Sequence, residues 1–166
     1  MEYYQKIIQN YRSRGVLIDS NLLLLYFIGK YNLSIIQNFK RTKKYTIEDF
    51  DLLSQIIRYF PKLITTPNIL TEVSNLCNSL PGNIKDNYFT KFAKQIQVLN
   101  EHYKRSSNIC SLDHFKKFGL TDSGIIDLVK GNFLVLSDDL PLTNYLLSKN
   151  IDAINFNHLR PLNWDK

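Results

Sequence analysis

Cysteine, proline and glycine are scarce in this 166-residue chain, which has two, five and six of them, with one methionine and one tryptophan. Cys77 and Cys110 have no close cysteine or histidine at zinc spacing, which excludes a disulfide-built scaffold and a zinc finger. Both read as small core residues. The three histidines, His102, His114 and His158, share no ligand spacing and flank no candidate nucleophile, so none is assigned a catalytic role. No glycine-rich phosphate loop is present, which removes nucleotide hydrolysis of the Walker type. The longest apolar run, Leu22 to Ile28, falls far short of the roughly 18 residues a membrane span needs. The opening Met1-Glu2-Tyr3-Tyr4-Gln5-Lys6 lacks the apolar segment of a signal peptide. The expectation is a soluble, cytoplasmic protein that makes no membrane contact. No repeat, low-complexity tract or Pro/Gly/Ser-rich linker divides the chain, so residues 1–166 read as one domain. At this size about two-thirds of the unfolded surface can be buried, enough for a core without disulfide or structural metal.

What is abundant is charge, unevenly placed. Lysine and arginine number 21 against 15 acids, for a net +6 and a pI near 9.2. Residues 30–44 hold Lys30, Lys40, Arg41, Lys43 and Lys44 with no acid, and residues 85–117 hold seven basic residues against Asp86, Glu101 and Asp113. Residues 122–139 reverse the balance, with Asp122, Asp127, Asp138 and Asp139 against Lys130 alone. A basic chain that gathers acids locally permits a nucleic-acid partner and asks what the acids hold.

Hydrophobic periodicity predicts an N-terminal helix over residues 2–13, a buried strand Val16-Leu17-Ile18, and an apolar helix from Leu22 to Lys30. Thr46-Ile47-Glu48-Asp49 caps a helix that ends at Pro61, and Leu63-Ile64-Thr65 is a second strand. Thr66-Pro67 opens the next helix, which Pro81-Gly82 stops. Helices follow over residues 84–101 and 111–118, the latter closed by Gly119, and a third from Asp122 to Lys130 capped by Thr121. Phe133-Leu134-Val135-Leu136 is a strand, residues 140–149 a helix and residues 152–156 a last strand, with a terminal segment containing Trp164 lying on the domain. Short apolar strands alternating with helices imply an α/β sandwich with a mostly parallel central sheet flanked by helices.

In such sheets ligands bind beyond the carboxyl ends of the strands. Asp19 directly follows the first strand, and Asp138-Asp139 follow the strand that ends near Ser137. Glu72 lies beside the Ile69, Val73, Leu76 stripe of its helix, and Asp122 shares a face with Ile125, Ile126 and Val129. Asp127 points away and reads as a solvated surface acid. Each acid also has a bland reading as a helix cap, a first-turn acid or a lysine partner. Asp19 resists it, since an ionised carboxylate between an apolar strand and an apolar helix is costly without a cation or donor. Acids that converge raise one another's pKa unless a divalent cation neutralises them, and oxygen-only ligation favours Mg²⁺ or Mn²⁺ over zinc.

Four segments in this order resemble the PIN-domain nucleases: Val16-Leu17-Ile18-Asp19-Ser20-Asn21, Thr66-Pro67-Asn68-Ile69-Leu70-Thr71-Glu72-Val73, Leu120-Thr121-Asp122-Ser123, and Val135-Leu136-Ser137-Asp138-Asp139 with the helix after it. The resemblance covers about residues 15–156, leaving the N-terminal helix and a tail over residues 157–166. It implies a Rossmann-like three-layer sandwich and a Mg²⁺- or Mn²⁺-dependent endoribonuclease that cuts single-stranded RNA to 5′-phosphate and 3′-hydroxyl ends. On that pattern Asp19 and Asp122 ligate metal directly, Glu72 and Asp139 bind a second ion or orient the water, and Asp138 is the secondary candidate for the fourth acid. Asn21 and Ser137 support the ligands. Lys40, Arg41, Lys43, Lys44, Lys104, Arg105, Lys116 and Lys117 would steer the RNA backbone, with Tyr45 and Tyr103 available for stacking. A toxin or defence nuclease, an antitoxin or other regulatory protein as partner, and a homodimer all fit the resemblance. So does a PIN-like module that binds RNA or protein without cutting. A phosphoacceptor receiver domain fits less well, because Asn157 and His158 follow the last strand where that fold needs a lysine.

Overall fold

The apolar runs become the interior of a single sheet. In the computed structural model, which describes residues 2–163 and side chains as far as Pro161, β1 (Val16–Ile18), β2 (Leu63–Thr65), β3 (Asn100–Glu101), β4 (Leu134–Ser137) and β5 (Ala153–Asn155) pair in the order β3-β2-β1-β4-β5. Every pairing is parallel. Central β1 sets Val16, Leu17 and Ile18 opposite Leu134, Val135 and Leu136 on one side, and Val16 and Leu17 opposite Leu63 and Ile64 on the other. All of β1 and β4 is buried, as strands covered on both faces require.

The helices are α1 (Glu2–Tyr11), α2 (Ser20–Tyr31), α3 (Ile47–Arg58), α4 (Pro67–Cys77), α5 (Gly82–Ile96), α6 (Ser106–Ile109), α7 (Phe115–Val129), α8 (Leu140–Ser148) and α9 (Phe156–Asn163). They flank the sheet to make the Rossmann-like α/β sandwich. The caps read from sequence form: Thr46 and Asp49 make a reciprocal capping box on α3, and the Thr66 hydroxyl accepts from the Ile69 N–H at 3.3 Å. Gly29 lets α2 approach α3, since a Cβ there would collide with the Phe50 ring. No helix of the described residues is long and apolar enough to cross a membrane.

Three local expectations change. Asn100 and Glu101, expected at the end of a helix, instead pair with Ile64 and Thr65 as a short exposed edge strand. The helix break expected at Gly119 does form: Gly119 adopts φ 69°, ψ −167°, a region essentially reserved for glycine, and separates two helical stretches within α7. Thr121, expected to cap the second stretch, instead turns its hydroxyl to the Glu72 carboxylate. The expected tail folds as α9, which buries Phe156 and Leu159 and packs on α3, while Trp164 lies outside the described residues.

Candidate active site

The chain steps from β1 outward through β2 to β3, then crosses back to β4 and outward to β5, so connections leave the two central strands in opposite directions. That divergence opens a crevice at the carboxyl ends of β1 and β4, the usual ligand position in open parallel sheets. The crevice is a cavity of about 630 Å³, and Asp19, Glu72, Asp122 and Asp139 all line it. Four acids from segments spread over 120 residues of sequence thus share one wall.

Asp19 is buried, 6% exposed, and caps α2, its Oδ1 accepting from the Leu22 N–H at 2.9 Å. Its Oδ2 accepts from the Ser137 hydroxyl and from the Asp138 N–H at 2.9 Å. These donors are neutral. Burial first, then the negative charge of Asp138, push the Asp19 carboxyl above the ordinary range despite them. Glu72 is exposed at the cavity rim and joins three helices, taking the Ser20 hydroxyl at 2.6 Å and the Thr121 hydroxyl at 2.5 Å. Asp139 caps α8 through the Leu142 N–H at 2.8 Å, and its own N–H donates to the Ser137 hydroxyl at 2.9 Å. Ser137 therefore couples two of the acids.

Asp122 differs from the other three. Half-buried, it accepts no hydrogen bond from the described residues, and its pKa rises from 3.8 to about 6 through burial, then through the charges of Asp139 and Glu72. Against this acid set stands Arg41, the one cation among the described residues of the cavity wall.

Asp138, the alternative fourth acid, turns out of the cavity. Its Oδ1 accepts from Asn21 at 3.2 Å and its Oδ2 from Lys44 and from the Tyr45 hydroxyl at 2.6 Å. Burial works to raise its pKa, but the Lys44 and Tyr45 hydrogen bonds and the Lys44 charge outweigh it and hold the carboxyl below the ordinary range. Asp138 anchors Asp19 through its backbone. Tyr45 is correspondingly 1% exposed and is not a stacking platform, because its ring is core and its hydroxyl is spent on Asp138.

The basic residues divide. Arg41 lines the cavity; Lys43, Arg105, Lys116 and Lys117 are exposed, and Lys40 is exposed on a separate groove beside Phe39 and Pro81. Lys44 is paired with Asp138, and Lys104 with Asp127. Asp127 is thus no free surface acid: burial opposes its ionisation, but Lys104 and Lys130 together hold its carboxyl below the ordinary range. Tyr103 is 76% exposed. Cys77 is buried as expected, but Cys110 is exposed just past the short α6, where the turn leaves no core for it.

Two residues that local patterning did not reveal brace the site from behind. Arg160 of α9 grips the carboxylate of Asp49 with Nε at 2.9 Å and a terminal nitrogen at 2.8 Å, and also donates to the Lys44 carbonyl at 3.1 Å. Asn157 donates to the Asp138 carbonyl at 3.0 Å. The C-terminal helix thereby holds the Lys44-Tyr45 segment that holds Asp138.

Comparison with family models, curated proteins and solved structures finds no match. The functional reading rests on the residues themselves. Among the described residues no three His, Cys, Asp or Glu side chains stand close enough to enclose a single ion. The donor chemistry nevertheless suits a hard divalent cation: every acid is an oxygen donor, Asp122 has no hydrogen-bond partner among the described residues, and Mg²⁺ commonly keeps several waters while taking one or two carboxylates directly.

Proposed function

We propose that this chain is a PIN-like, divalent-metal-dependent endoribonuclease that hydrolyses phosphodiester bonds of single-stranded RNA. The observation that carries the reading is the convergence of Asp19, Glu72, Asp122 and Asp139 on one cavity at the strand-order reversal. Asp19 and Asp122 would hold Mg²⁺ or Mn²⁺, with Glu72 and Asp139 reaching a second ion directly or through water. When bound, the metal supplies charge neutralisation and Lewis acidity at the phosphate.

The chain's own groups do the rest. Arg41 binds a non-bridging phosphate oxygen and orients the scissile group. Glu72 and Asp139 accept hydrogen bonds from the attacking water and align it. The water oxygen bonds to phosphorus, the bond to the 3′-oxygen breaks, and the proton released by the water ends on that oxygen, leaving a 5′-phosphate and a 3′-hydroxyl. Ser137 and the Asp138 N–H hold Asp19, and Ser20 and Thr121 hold Glu72, so neither acid has to reorganise as charge develops.

A module that binds without cutting is the second reading, favoured by the spacing of the acids, no three of which enclose an ion among the described residues. Cleavage of an end-labelled single-stranded RNA with Mn²⁺ separates the two. The nuclease reading expects cutting by the wild type and loss of on the order of 100-fold or more in Asp19→Asn and Asp122→Asn with the fold retained. Variants that cut as the wild type does would exclude the assignment, and a wild type that binds RNA intact would establish the second reading.

A further inference from the structure

Phe118 lines the cavity and also begins a different surface. Its ring lies 4.8 Å, centroid to centroid, from that of Tyr145 on α8, and His114 approaches the same tyrosine at 5.9 Å. Lys117 sits over both rings, 4.9 Å from the Phe118 centroid and 5.8 Å from that of Tyr145, while Lys149 sits over Tyr145 at 5.6 Å. An ammonium within about 6 Å of a ring is attracted to its face, so both flexible stems are held in place.

Neither Lys117 nor Lys149 has an acidic partner among the described residues, unlike Lys44 and Lys104, which are neutralised by Asp138 and Asp127. Cations fixed in this way beside a carboxylate-rich cavity attract a polyanion that the cavity alone would repel. Their separation from the acids also fits an extended ligand. At 1.5 Å per residue, α8 carries the chain about 15 Å from the Asp139 cap to Lys149.

We propose that Lys117 and Lys149, mounted on the Phe118–Tyr145 pair, form a track for the sugar–phosphate backbone of a single-stranded polynucleotide leaving the cavity along α8. This rests on the nuclease reading of the cavity. A single strand is the fitting form because its flexible backbone can follow the two cations and drop one phosphate to the carboxylates, whereas a duplex holds its phosphates on a stiff double helix.

The test is fluorescence anisotropy of the full chain, in EDTA to prevent cutting, on a labelled single-stranded RNA of about 12 nucleotides. Each phosphate contact on a single strand contributes about 0.7 to the slope of log K against log salt. The double variant Lys117→Gln/Lys149→Gln should flatten that slope by about 1.4 and weaken binding ~25-fold at 0.1 M salt. Lys130→Gln, at a lysine neutralised by Asp127, should change neither, and calorimetric binding of Mn²⁺ alone should be unaltered in all three proteins. Wild-type affinity and slope in the double variant, no strand binding by the wild type, or preference for the matching duplex would each overturn the track. If the wild type cleaves with Mn²⁺ while the double variant binds normally, the track fails and the nuclease reading stands. If the double variant loses binding but the wild type never cleaves, the track stands and the nuclease reading fails.

Discussion

Asp122 offers the sharpest test, because replacing it by asparagine should make the metal-free protein more stable while removing activity. In the unfolded chain the carboxyl ionises at 3.8, and in the folded chain at about 6, through burial and the nearby charges of Asp139 and Glu72. The folded state therefore keeps a proton that the unfolded state releases between those values. The stabilisation from this group is complete below pH 3.8 and is lost as pH rises through 6. At 1.36 kcal/mol per pH unit the loss is bounded at about 3 kcal/mol. The side chain is only half-buried, and screening by solvent brings it to ~1–2 kcal/mol. The asparagine introduced by Asp122→Asn carries no charge to neutralise. Urea unfolding in EDTA should show this variant more stable than wild type by ~1–2 kcal/mol at pH 7.5, a rise in Tm of about 2–8 °C, with the gain vanishing at pH 4. Saturating Mn²⁺ should then reverse the order, since a ligand at 100 times its Kd stabilises only the protein that binds it, by about 2.7 kcal/mol. A variant less stable at pH 7.5, or a gain that persists at pH 4, would refute the claim that Asp122 is held ionised against its surroundings.

Neighbouring aspartates should separate by role: Asp139→Asn keeps an efficient helix cap and so its Tm, but loses on the order of 100-fold in RNA cleavage, while Asp138→Asn, which retains the N–H to Asp19, loses less than about 10-fold. Similar losses in the two variants would contradict the orientation assigned to this pair. Arg160→Ala leaves the Asp49 carboxylate, 1% exposed, without its cation and should lower stability by about 3 kcal/mol in chemical denaturation, a deficit partly recovered by adding Asp49→Ala. Full additivity in that double-mutant cycle would show that the pair is not coupled. Gly119→Ala forces a side chain into φ 69°, ψ −167° and should cost ~1–3 kcal/mol, read as a lower Tm together with weaker Mn²⁺ binding, because the bend positions Asp122; unchanged Tm would rule out the strain.

The local elements were legible in the order of residues alone. Val16-Leu17-Ile18 and Leu134-Val135-Leu136 carry no polar face, so burial on both sides is their stable state, and Thr46, Thr66 and Asp139 announce helix starts through hydrogen bonds within three residues. Asp19 stood out for the same reason, as an acid wedged between apolar segments. Gly119 was legible as well, since a glycine between two apolar helical stretches marks the break that its φ 69°, ψ −167° makes.

Whatever depends on which strand lies beside which came only with the packed chain. Pairing β1 with β4 turned acids 120 positions apart into one cavity wall. The dipeptide Asp138-Asp139 was ambiguous as sequence; the α8 cap sends Asp139 to the cavity and the Tyr45 hydroxyl draws Asp138 behind it. The same packing buried Tyr45, paired Lys44 and Lys104, set Lys117 and Lys149 on aromatic rings, and joined Arg160 to Asp49 across 111 residues. Periodicity and capping report contacts within a turn or two of chain. A charge's partner is set by the path of the chain through space, and that path places the neutralised lysines and the unneutralised acids of this protein.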